Sequence, residues 1–140
     1  MIQFETFTLD NGLRVIVNQD NKTPLVAVNL LYNVGAKNEQ PSATGFAHLF
    51  EHLMFSGSKN FSSYDDAAQM MGAESNAFTN NDFTNYYITL PSEFLGHALD
   101  LEADRMQSLN INQKSLDVQR KVVIEEFKKE NNMDLSQDKM

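Results

Sequence analysis

The run from Gly45 to Phe55 sets His48, Glu51 and His52 into an otherwise apolar stretch of helical character, and this constrains the fold more than any other feature of the chain. A helix of this kind buries its apolar face, and polar side chains drawn in with it need partners because an unpartnered buried carboxylate is costly. Residues four apart stand one above the other, so His48 and His52 can offer two imidazole nitrogens to one metal ion while Glu51 projects beside them. Two histidines do not complete a catalytic zinc site, which takes three protein ligands and leaves a fourth position to water. The chain has no cysteine, which excludes thiolate ligands and a cysteine nucleophile and leaves His, Asp and Glu. The fold must therefore return a distant side chain to this helix.

The last helix expected from the sequence, from about Gln113 to past Glu130, offers two adjacent carboxylates. Glu125 has Lys121 four residues before it and Lys128 and Lys129 three and four after it, the pattern of a solvated, ion-paired face. Glu126 has Val122 and Val123 one turn back, which sets it at the margin of an apolar face. Glu126 is thus the better third ligand, giving a His48, His52, Glu126 set that leaves Glu51 free as general base. Such a base accepts a proton from water and passes it to a leaving amine, so amide hydrolysis is the natural chemistry. Phe50, Leu53, Met54 and Phe55 either form a dry pocket around that chemistry or face the core.

The other elements follow from periodicity and turn residues. Phe4 to Leu9 and Leu13 to Val17 flank Asp10-Asn11-Gly12, a hairpin in which Asn-Gly supplies positive φ. Leu25 to Tyr32 reads as a central strand, and Gly35 to Pro41 as a loop. The first helix spans about Thr44 to Phe55, and a short second one starts at Ser62-Ser63 and stops at Gly72. Ser75 to Thr79 and Phe83 to Leu90 are strands joined by Asn80-Asn81-Asp82. A third helix starts at Pro91-Ser92-Glu93 and carries a stripe of Phe94, Leu95, Ala98, Leu99, Leu101 and Met106 to about Leu109. The polar tail, residues 131–140, is expected to fray, and His97 to serve packing or the surface. This order, with hairpins instead of regular βαβ alternation, predicts a single α+β domain with a mainly antiparallel or mixed sheet covered by helices.

The His48-x-x-Glu51-His52 helix, followed by Arg120-Lys121-Val122-Val123-Ile124-Glu125-Glu126, resembles the pitrilysin and insulinase type of zinc metallopeptidase, the inverted zincins. In that family the second glutamate of the later motif binds the zinc, which agrees with Glu126. Asn76-Ala77-Phe78-Thr79, with Asp82, Thr84 and Tyr86-Tyr87, is similar to the strand pair on which these peptidases hold an extended peptide by edge-strand addition. The resemblance implies Asn76, Ala77 and Phe78 as substrate-binding residues. The hairpin, Leu30 to Gly35, and Ala103-Asp104-Arg105-Met106 match as well.

Two departures accompany the match. Members are much longer, with a second related domain or partner subunit that closes over the peptide, so residues 1–140 are expected to be the N-terminal part of the catalytic domain with that second domain absent. Many members also carry a supporting glutamate where this chain has Gln119, which is expected to lower metal affinity somewhat.

The resemblance implies one Zn2+ per chain and a metalloendopeptidase acting on peptide or unfolded protein substrates. Alternatives are a non-catalytic peptide-binding or subunit-interaction fragment of such a peptidase, and a structural zinc domain, for which the sequence offers no fourth ligand. The net charge of −8 argues against nucleic acid and against an anionic membrane surface as partners. The N-terminus has neither a basic region nor an apolar core, so the compartment stays open with the cytoplasm favoured.

Overall fold

The computed structural model describes residues 1–137, with side chains to residue 131. Its elements run β1 (Glu5–Thr8), β2 (Arg14–Val17), β3 (Leu25–Tyr32), α1 (Phe46–Leu53), α2 (Tyr64–Met70), β4 (Glu74–Thr79), β5 (Thr84–Pro91), α3 (Leu95–Ser108) and α4 (Gln113–Gln137). Every strand pair is antiparallel: β1 with β2, and a three-stranded sheet in the order β3-β5-β4. The α+β expectation therefore holds. α4 continues through 131–137, where the tail was expected to fray; the rest of that expectation falls on 138–140, outside the described residues.

The order of the sheet departs from the sequence reading. Leu25–Tyr32 is apolar on both of its faces, which suggested a central strand, yet it lies at an edge among the described residues and alternates exposed and half-buried positions. β5 is central instead, with Tyr86, Ile88 and Leu90 turned into the core. The first turn also differs. Only Gly12 takes a positive φ, 88°, while Gly12 N–H donates to the Leu9 carbonyl and the Asn11 carboxamide accepts from Leu13 N–H. This is a three-residue loop with a left-handed closing glycine, not a turn with two positive-φ residues.

One face of the three-stranded sheet carries the core. Tyr64 and Ala68 from α2, with Met71 at its C-cap, meet Ile88 and Leu90 from β5 and Ala98 and Leu101 from α3. The Ser63 hydroxyl caps α2 by accepting Asp66 N–H, and Gly72 follows the helix with φ 64°. On α3 the expected stripe is only partly buried: Leu95, Leu99 and Met106 are exposed, and Glu102 and Arg105 complete the inward face with Ala98 and Leu101.

Buried charge is tolerated there because every group is engaged. The Arg105 and Glu102 side chains are 2% and 6% exposed and meet at 2.7 Å, and Tyr64 Oη donates to Glu102 at 2.7 Å. The guanidinium also lies over the rings of Tyr64, Tyr86 and Phe55, at 4.2, 4.7 and 5.4 Å from their centroids. Burial, reinforced by Glu102, pushes the Tyr64 phenol well above the usual tyrosine range, so it stays a donor. A pKa raised in the folded state gives stability that is present below about pH 10 and lost above it, where an unfolded tyrosine ionises. Tyr64→Phe leaves one Glu102 oxygen without its donor and is expected to cost about 1–3 kcal/mol in urea unfolding at neutral pH. An unchanged midpoint would contradict that bond's contribution.

Candidate metal centre

α1 is eight residues long and starts two residues later than the sequence suggested, because Gly45 holds a left-handed φ of 89°. No side chain at that position caps the helix. Instead the Glu39 carboxylate accepts Gly45 N–H at 2.7 Å and Ala47 N–H at 2.8 Å. At the other end the Arg105 guanidinium lies 3.5 Å from the Met54 carbonyl. Ala47, Leu53 and Met54 are buried, and Phe55 packs edge-on against Tyr64. The dry-pocket alternative for the apolar residues of this stretch thus gives way to the core. Phe50 and Met54 also border open space, together with Tyr32, Val34, Ala47, Thr84 and Tyr86, on the side of α1 away from the histidines.

His48 and His52 turn toward α4, whose half-buried positions Leu116, Gln119, Val123 and Glu126 recur at three- and four-residue steps. That face, not the one bearing Val118 and Val122, turns inward; those two, Ile124 and Phe127 are exposed. Glu125 points away and takes a 2.8 Å bond from Lys128, which holds its carboxyl below the usual glutamate range. Glu126 thus lies on the inward face and Glu125 off it, although the apolar face that suggested Glu126 is largely uncovered.

The three side chains converge. His48 Nε2 and His52 Nε2 are 3.2 Å apart, and Glu126 Oε2 is 3.3 Å from each. Donor atoms about 2.0–2.1 Å from a common centre in a tetrahedral arrangement are about 3.3–3.4 Å from one another, so the spacing fits one zinc-sized ion. Imidazole and carboxylate suit such an ion chemically. The side chains of His48, His52 and Glu126 are 40%, 21% and 42% exposed, which leaves a route for water or substrate. Among the described residues these three form the group able to hold a metal. The remaining histidine, His97, is exposed beside Phe94 and lies outside it.

Glu51 faces the sheet. Its carboxylate accepts the Thr79 hydroxyl, which also meets the Thr84 hydroxyl at 3.3 Å, and Thr84 donates to the Val34 carbonyl at 2.9 Å. Thr79 falls within the strand motif read from the sequence, but nothing in the chain signals a partner 28 positions away from Glu51.

Among the described residues β4 pairs only with β5, which leaves its other edge open. Asn80 N–H bonds the Phe83 carbonyl across the turn, and the alternation of an antiparallel ladder then turns the main-chain groups of Ser75, Ala77 and Thr79 to the open edge. Ala77 N–H is held there by the Asn76 carboxamide at 2.8 Å. Ala77 shares the Glu51 side of the sheet with Thr79, whereas Asn76 and Phe78 occupy the opposite, exposed side. The three residues expected to bind substrate are therefore divided between two faces.

A sequence profile for Insulinase (Peptidase family M16) matches residues 14–139. The zinc protease PqqE of Helicobacter pylori is 40% identical over 125 residues, covering 87% of this chain and 28% of its own length. Cytochrome b-c1 complex subunit 1 of Homo sapiens is 33% identical over 121 residues, covering 85% of this chain and 25% of its own. The crystal structure of a protease from Helicobacter pylori superposes with a TM-score of 0.85 at 38% identity, over 90% of this chain and 31% of that one. This chain spans under a third of the length of each.

Proposed function

Because this chain belongs to the insulinase family of peptidases (Peptidase family M16), we propose that it is the N-terminal, zinc-binding part of a metalloendopeptidase catalytic domain that cleaves extended or unfolded peptides. The observation that carries this reading is the convergence of His48, His52 and Glu126 within 3.3 Å of one another. His48, His52 and Glu126 hold one Zn2+, which when bound polarises a carbonyl and makes water acidic near neutral pH. Glu51, held in place by Thr79, takes the proton from the attacking water and delivers it to the leaving amine.

The peptide adds as a strand at the open edge of β4. Ala77 N–H passes from the Asn76 carboxamide to a peptide carbonyl. Ala77 contributes through its main chain on the Glu51 side, while Asn76 acts by releasing that N–H and Phe78 supports the strand from the far face. A second homologous domain or subunit closes over the peptide.

The name of the human relative, a subunit of a complex, favours a second reading in which this chain is a subunit-interaction or peptide-binding fragment without hydrolysis. Peptide binding without cleavage, even with a second domain supplied, would favour it over the first.

Metal analysis tests the site directly. The chain, stripped with a chelator and re-equilibrated with zinc, is expected to retain about one ion, and the His48→Ala, His52→Ala double variant none. Equal zinc in both would remove the assignment.

A further inference from the structure

We infer that Glu39 is a positioning residue for the metal centre, holding the start of α1 so that His48 and His52 reach Glu126. The inference rests on the metal-site reading above. Helix α1 lacks a capping side chain at Gly45, so its first-turn N–H groups need an acceptor from elsewhere. The two oxygens of Glu39 supply it, Oε2 to Gly45 and Oε1 to Ala47, one residue before His48. A carboxylate at this end also matches the positive pole of the helix dipole.

Glu39 is itself fixed to the sheet. Ala36 N–H and Lys37 N–H donate to the Asn80 and Asn81 carbonyls at 3.2 and 2.9 Å. That approach needs a glycine at position 35, where a Cβ would stand 2.5 Å from the Asn80 carbonyl oxygen. Asn80 directly follows Thr79, the partner of Glu51. The β4–β5 turn thus grips α1 twice, through Thr79 at Glu51 and through the 35–39 loop and Glu39 at the helix start. Among the described residues the polar contacts of the His48 ring are with His52 and Glu126, so its position is inherited from the helix.

Glu39→Gln keeps one acceptor oxygen and turns an NH2 group against the second N–H. The test compares wild type, Glu39→Gln, Glu39→Asp and Ser63→Ala in the full 140-residue chain. Ser63→Ala removes a helix cap remote from the site and controls for general loss of stability. Zinc affinity is measured by chelator competition and site geometry by the visible spectrum of the Co2+-loaded chain. Glu39→Gln is expected to weaken zinc binding roughly tenfold and to alter the Co2+ bands, in line with other partners that orient metal ligands. Glu39→Asp is expected to restore part of the affinity, and Ser63→Ala to change neither readout. Wild-type affinity and spectrum in Glu39→Gln, or an equal loss in Ser63→Ala, would overturn the positioning role while leaving the metal site standing. A wild-type chain that binds no metal would overturn both.

Discussion

Glu126→Gln is expected to reduce zinc affinity by at least about a hundredfold, more than loss of a supporting side chain costs, because it removes the only carboxylate oxygen in the convergent set. Glu126 Oε2 sits 3.3 Å from both imidazole Nε2 atoms, so no movement of the helices is needed to bring it to an ion. An amide in its place presents a neutral, weaker donor. Glu125→Gln is the matched control: that carboxylate is exposed and bonded to Lys128, on another face of α4. It is expected to leave zinc binding as in wild type. Competition with a chromophoric chelator reads both, and equal loss in the two variants would refute the face assignment.

Glu51→Gln is expected to separate binding from chemistry. Its carboxylate meets Thr79, not the Nε2 cluster, so zinc stoichiometry should stay at the wild-type value. Hydrolysis should fall by roughly 10²–10⁴-fold, the usual contribution of a positioned general base. The measurement is peptide cleavage by a longer or partner-complemented form of the enzyme, followed alongside metal content. Wild-type cleavage by Glu51→Gln would remove Glu51 from its role, and loss of zinc would recast it as a ligand.

Much of this site is legible in the sequence because its parts obey local rules. The i, i+4 spacing fixes the two imidazoles on one helical face. The lysines around Glu125 mark it as solvated, which singles out Glu126. The elements themselves follow from Gly12, Ser63, Gly72 and the Asn80 turn, each with a local hydrogen bond or a positive φ behind it.

What is not legible depends on which face of an element finds a neighbour. Leu25–Tyr32 and Val118–Phe127 carry enough apolar residues to look buried, yet much of both is uncovered among the described residues. Glu102 and Arg105 look like surface charges on α3 until Tyr64, Tyr86 and Phe55 close around them. Glu39 carried no sign of its role, because the sequence starts the helix at about Thr44, a residue type that can cap, and only the structure moves the start past Gly45 and leaves Gly45 and Ala47 N–H to Glu39.

The claim on which the rest depends is that His48, His52 and Glu126 hold one metal ion and leave one position open. A crystal of the zinc-loaded chain measured on both sides of the zinc absorption edge tests it most directly. The account predicts a single anomalous peak within bonding distance of His48 Nε2, His52 Nε2 and Glu126 Oε2, with a solvent or substrate atom as the fourth neighbour. A peak bound elsewhere, or one closed by a fourth protein side chain, would contradict it.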